Sequence, residues 1–239
     1  MTLLHSQSEE PFVLSATSKL LLKELLQLRQ TGQNRPVLIA ISGESAAGKT
    51  TFINTLKRIL KSATFIDADN YFNDLSQEIQ QAGSFANLVE QGFESDAPTS
   101  FQLKQLEQDL RTLKSNKSVW IPLYDMKTGK SFSDAQFIQP STFIFVAGIC
   151  TLYRPVSDLF DFKIYLQADE KLRFERYMKR ATERGQTQSE AQRQYAYISK
   201  MAQKYILPQQ KQADIIVKGR LPKHYLQQLF IQTIRSIAQ

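Results

Sequence analysis

Short unbroken apolar runs recur along the chain, separated by stretches in which apolar residues return every three or four positions. "VLIAIS" (37–42), "TFIFVA" (142–147) and "FKIYLQA" (162–168) are of the first kind. A strand buried on both faces reads this way, because neither side alternates with water. "ATFIDADNYF" (63–72) reads as a strand and its exit loop. "SVWIPLY" (118–124) reads as a strand before a polar turn, "DMKTGK" (125–130), and "ADIIVKG" (213–219) as a last strand. The helical period predicts helices at about 14–30, 49–61, 100–114, 169–183, 188–206 and 222–238. Gly32 and Pro36 close the first of these, Gly185 the fourth and Pro208 the fifth. Residues 1–12 and 73–99 read as irregular. Alternation of strands and helices predicts an α/β protein, with a largely parallel sheet covered by helices on both faces.

Composition narrows this picture. The chain has 239 residues, 42% hydrophobic and 22% charged, as expected for one globular domain with small appendages. Thirty Lys and Arg against 23 Asp and Glu give a net charge of +7, which favours an anionic small-molecule partner. No basic run carries interleaved aromatics, so nucleic acid is not expected. The single cysteine, Cys150, ends an apolar run. It reads as a packed thiol, and its solitude excludes an internal disulfide framework. Neither a membrane-length apolar stretch nor a signal-peptide start is found, so the expectation is a cytoplasmic protein without a membrane partner. With only His5 and His224, zinc sites and serine triads have little to draw on. The stripe Leu14, Leu21, Leu22, Leu25, Leu26 and Leu28 reads as core packing and leaves a homo-oligomer contact open.

Gly43-Glu44-Ser45-Ala46-Ala47-Gly48-Lys49-Thr50 matches G-x-x-x-x-G-K-[ST] in full, between a predicted strand and a predicted helix. Glycines let the backbone curl until several N–H groups face phosphate oxygens, and the helix start adds its positive dipole end. Lys49 is expected on the outer phosphates and Thr50 on Mg²⁺, with Thr51 beside it at the helix start. This points to ATP or GTP, with no guanine-reading signal to favour the latter. Asp67 and Asp69 follow at the end of the second strand. Period two places both on one face, where an open parallel sheet collects its ligands. Asp69 is the candidate base for an acceptor hydroxyl and, with Asp67, a candidate magnesium ligand; turn capping is the alternative reading for both.

The ordered series "ISGESAAGKT", "DADNYF", "DAPTSFQLKQLEQDLRTLKSNKSVWIPLYD", "DLFDFKIYLQADEKLRFERYMKRATERG" and "YILPQQKQADIIV" resembles the phosphoribulokinase/uridine kinase family, its uridine kinase branch most of all, over about 36–218. The resemblance implies a three-layer α/β/α P-loop nucleoside triphosphate hydrolase fold with a helical lid at about 173–190. Residues 1–35 would then be an N-terminal helical extension to a kinase domain at 36–239. It further implies ATP and Mg²⁺, a small hydroxyl-bearing substrate such as uridine or cytidine, and Asp69 as catalytic base. By the same matching, Asp96 holds the sugar hydroxyls, Tyr124 and Phe72 belong to the base pocket, and Gln194 lies on the substrate side. Arg180 and Arg184 are the lid arginines, and residues 43–51 bind ATP. The chain departs from the family at several places. Ala147-Gly148 stands where the family has Glu-Gly, a metal-holding pair. The pyrimidine-reading histidine is absent, with Gly129 near its place. Gln186 replaces an arginine, and Phe72 replaces a tyrosine. A different hydroxyl acceptor, or nucleotide binding with weak transfer, therefore stays open.

Overall fold

A computed structural model describes residues 35–60 and 62–218. The leucine-rich stretch 14–30, the helix expected at 222–238, and both histidines lie outside the described residues. Seven strands are described: β1 (Val37–Gly43), β2 (Thr64–Asp67), β3 (Val119–Asp125), β4 (Lys130–Ile138), β5 (Phe143–Ala147), β6 (Phe162–Gln167) and β7 (Ile215–Lys218). The α-helices are α1 (Lys49–Ile59), α2 (Ser76–Ala82), α3 (Phe85–Glu90), α4 (Leu103–Lys114), α5 (Glu170–Glu183) and α6 (Gln188–Met201).

Five strands form a parallel sheet in the order β2-β5-β1-β6-β7. Each central strand divides its side chains between two apolar layers. Leu38 and Ala40 of β1 join Ile144, Val146 and Tyr165 on the α4 side, with Leu106, Leu110 and Leu113. Ile39 and Ile41 join Phe145, Ile164 and Leu166 on the α1 side, with Phe52 and Leu56. The i, i+4, i+7 spacing in α4 is the stripe that a helix needs to cover such a face. This is the three-layer α/β/α P-loop arrangement. Among the described residues no helix is long and apolar enough to cross a membrane.

The structure differs from the expected elements in three places. Residues 73–99 are not irregular throughout, since α2 and α3 lie within them. Both are short and bury no side chain fully, so they carry no apolar stripe to be read. The strand at 118–124 does not join the parallel sheet. It pairs antiparallel with β4, which the apolar pattern does not reveal, as a separate hairpin around the polar turn. Serine and charge along "KSFSDAQFI" hide the strand, because most of β4 is exposed. Finally, the helix expected to run to 206 changes at Ala202 to a π-turn and then to a 3₁₀ turn through Gln212.

Asp161 pins the entry to β1. Its carboxylate accepts two bonds from Arg35, at 2.8 and 2.9 Å, one from the Leu38 N–H at 2.9 Å and one from Lys114 at 3.0 Å. Burial alone would raise its pKa, but the bonds from Arg35, Leu38 and Lys114 outweigh it and hold the group below the usual carboxylate range. A carboxylate whose folded pKa is depressed contributes stability above its unfolded pKa near 4 and loses it as pH falls through the folded value. Asp161→Asn should cost about 3 kcal/mol at neutral pH, because it strips a charge partner from two cations. The deficit against wild type should shrink in melts below about pH 4, where wild type is itself protonated.

Candidate active site

The loop after β1 turns at Gly48, whose φ of +111° is a left-handed conformation that glycine adopts freely, and α1 begins at Lys49. Lys49 Nζ donates to the carbonyls of Gly43 at 2.6 Å and Glu44 at 3.1 Å. Burial pushes its pKa down, against the opposing pull of Asp69 and Asp96. The loop opens into a cavity of about 710 Å³, lined by Ser45 to Thr51 on one side and by Asp69, Phe72 and Asp96 on the other. Arg180 and Arg184 also line it. Most of the expected site residues, some far apart in the chain, therefore meet around one space.

The two carboxylates of "DADNY" part company. The chain leaves β2 at Asp67 and enters a 3₁₀ turn, so period-two alternation stops before it can carry Asp69 to the same face. Asp67 is exposed and caps the turn, accepting from the Asp69 N–H at 3.1 Å. Asp69 alone faces the cavity. Burial first, then the charges of Asp67 and Asp96, push its pKa up to about 7, with Lys49 opposing. Asp96 is raised too, by burial, against the bond from Ser95 and the charge of Lys49.

Three expected residues sit one layer back. Tyr124 packs its ring on Phe72 at 5.3 Å between centroids. Gln194 accepts from Gln186 Nε2 at 2.9 Å. This bond ties the turn between α5 and α6 to α6 itself, so the glutamine standing for the family's arginine is held by the other expected substrate-side residue. Glu44 lies beneath the loop, nearly enclosed, against Arg173 at 2.8 Å.

Ala147 is in register with Ile41 and Asp67, and its methyl packs in the layer of Ala47 and Phe52, under the loop. A longer side chain from this position would run toward the phosphate side. Gly148 keeps the next turn close: a Cβ there would lie 2.7 Å from Ala68 Cβ and 3.2 Å from Asp69 Oδ1. Cys150 is fully buried, its thiol 3.7 Å from the Ala68 carbonyl, as a packed residue should be.

Sequence reading misses Arg173, Arg176, and the tyrosines that clamp the Asp96 loop. Arg176 donates toward the carbonyls of Ala46 and Ala47 at 3.4 and 3.3 Å. Tyr197 bridges the Phe93 carbonyl and the Ser95 N–H, at 2.8 and 2.9 Å. Tyr153 donates to the Asp96 carbonyl at 2.5 Å. Spacing on α5 is the available signal for the arginines, since 173, 176 and 180 share a helix face. No local signal marks the tyrosines, whose partners on that loop are at least 57 residues distant.

Fold and site together define a P-loop phosphotransferase, in which a helical pair leans over the phosphate loop. The chain belongs to the phosphoribulokinase/uridine kinase family, whose model matches residues 38–226. It is an enzyme of the kind that transfers a phosphoryl group to a hydroxyl. It is 32% identical over 205 residues to a uridine kinase of Chlamydia pneumoniae, covering 84% of this chain and 89% of that one. It is 30% identical over 209 residues to the chloroplastic uridine/cytidine kinase UKL1 of Arabidopsis thaliana; that match covers 84% of this chain but only 41% of the longer plant protein. Its fold is similar to that of a crystallised candidate fructose transport system kinase of Silicibacter sp. TM1040, with TM-score 0.61 at 20% identity, covering 84% of this chain and 98% of the other.

Proposed function

We propose that the protein transfers the γ-phosphoryl group of Mg-ATP to a hydroxyl of a small acceptor, a nucleoside such as uridine or cytidine before others. The observation that carries this reading is Asp69: its carboxyl faces the same cavity as Lys49 and Asp96, with a pKa pushed up to about 7. A base poised near working pH suits removal of a proton from an attacking hydroxyl.

Residues 43–51 would hold the triphosphate, with Lys49 leaving the loop carbonyls for the outer phosphates. Asp96 would bind the sugar hydroxyls and bring the acceptor oxygen to Asp69. Arg180 and Arg184 would neutralise the charge that spreads over the transferring group, and closure of α5 and α6, about 173–190, would keep water from competing. Phe72 would face the base, with Tyr124 behind it and Gln194 setting the lid turn. Residues 36–239 would form the kinase domain and 1–35 its extension.

The residues at the mouth of the loop fit a magnesium ion. Burial and Asp67 make the Asp69 carboxylate costly to ionise, and a cation would relieve that cost. Mg²⁺ on phosphates needs only one or two carboxylates. Asp69 and Thr50 would hold it, Asp67 through water, and when bound it neutralises phosphate charge.

The test is ADP release with Mg-ATP across uridine, cytidine, other nucleosides, pantothenate, ribulose 5-phosphate and simple sugars. One pyrimidine nucleoside should raise release at least about tenfold over the acceptor-free rate, as expected where the acceptor replaces water as nucleophile. Stimulation by a non-nucleoside alone would move the acceptor class. ATP binding without stimulation by any acceptor would overturn the transfer reading.

A further inference from the structure

Helix α5 meets the phosphate loop through three arginines on one face, and they make two kinds of contact. Arg176 and Arg180 line the cavity and reach loop oxygens at 3.3–3.5 Å. The Arg180 contact with Ser45 Oγ, at 3.5 Å, is weak and exchanges readily for a phosphate oxygen. Arg173 lies nearer the helix start and does not line the cavity. Its Nη2 sits 2.8 Å from Glu44 Oε1, with the two side chains only 8% and 4% exposed.

Glu44 occupies a position of which the loop motif asks nothing. A glutamate there sets negative charge beside a site for an anion, which Arg173 offsets. The pair is not needed for stability as such, because neutral side chains of similar volume serve a buried position as well or better. In some proteins a buried polar or ionic contact instead fixes the registry between two elements. Here the elements are the phosphate loop, whose Glu44 carbonyl also accepts from Lys49 at 3.1 Å, and the first turns of α5. The contact is a single charge pair rather than a bidentate fork: neither Glu44 Oε1 nor Arg173 Nε has an aligned hydrogen bond, and the nearby Tyr165 hydroxyl is equally unpartnered. Such a contact holds position while leaving angle free.

We propose that Glu44 and Arg173 form the pivot of the lid. As positioning residues they keep the base of α5 on the loop, while Arg180 turns from the loop oxygen to the bound phosphates. This rests on the kinase reading of the site.

Three variants test it: Glu44→Gln, Arg173→Met and the double variant. Melting temperature, acceptor-free and acceptor-stimulated ADP release, and tryptic cleavage after Arg180 and Arg184 with and without Mg-ATP are measured on the full chain. Each single variant should melt lower, since it strands one buried charge, and the neutral double variant should recover. A packing role alone would return function with stability. The pivot predicts instead that the recovered double variant still loses most of the protection that Mg-ATP gives the lid. It also predicts an acceptor-free share of ADP release about tenfold above wild type. A double variant with wild-type protection and wild-type coupling overturns the pivot, as does a wild-type lid that Mg-ATP does not protect. Failure of the kinase reading looks different: wild type then shows no acceptor stimulation, while the digestion still reports on the pivot.

Discussion

Asp69→Asn should lower kcat by about 10³-fold while leaving the affinity for metal-free ATP unchanged or slightly improved. The rate loss follows from removing the group proposed as base for the acceptor hydroxyl, a role typically worth 10²–10⁴-fold. The binding expectation follows from charge. Asp69 opposes the burial-lowered pKa of Lys49 and lines the cavity proposed for the triphosphate, so without the metal an isosteric neutral residue does not repel it. The fold should tolerate the change, because it is the Asp69 N–H, not its carboxylate, that bonds to the Asp67 cap. Steady-state ADP release gives kcat, and equilibrium binding of a fluorescent ATP analogue gives affinity. A fall of less than tenfold in kcat would remove Asp69 from the role of base. The loss should not fall to the low end of the usual range, because Ala147 offers no second carboxylate on the neighbouring strand, so Asp69 would serve both proton and metal.

Much of this arrangement is legible before any coordinates. Apolar runs of five to seven residues announce β1, β5 and β6, because a strand covered on both sides has no polar face to interrupt it. The loop motif places Lys49 and Thr50, and the ordered series places Asp69, Asp96 and the lid arginines. What stays hidden depends on distance or exposure. In the β3–β4 hairpin Ile121 and Ile138 turn inward, while Trp120 and Phe137 form an exposed, tilted cross-strand pair at 5.1 Å, so β4 shows no run of core-facing residues to be read. Asp67 and Asp69 share a face only if strand periodicity continues past the strand, and it does not. Tyr153 and Tyr197 act on a loop that only the tertiary fold brings to them. Glu44 is visible in the motif but silent, since its meaning lies in Arg173, 129 residues later in the chain.

The first glycine of the motif offers the second large effect. Gly43→Ala should destabilise the protein by about 4 kcal/mol, lowering Tm by roughly 10 °C, and should weaken ATP binding as well. The motif assigns this glycine to phosphate, but it is the last residue of β1, paired with Leu166 of β6. Its φ is +141°, a conformation that L side chains rarely adopt, and a Cβ would lie 2.3 Å from the Leu166 carbonyl oxygen. That oxygen belongs to the backbone of a neighbouring strand in the same sheet, so it cannot give way as a flexible side chain would. Strand separation must then increase at the point where the Gly43 carbonyl receives Lys49, and the phosphate loop shifts with it. Gly92→Ala separates the two costs. Gly92 also has positive φ, +99°, but a Cβ there would meet nothing within 4 Å; it should lose about 1 kcal/mol, from backbone conformation alone. Thermal melts of both variants beside wild type read the difference. If Gly43→Ala melts with Gly92→Ala, close approach of β1 to β6 is not what this glycine serves. If it melts several degrees lower and binds ATP less tightly, packing of the sheet and shape of the loop depend on the same missing side chain.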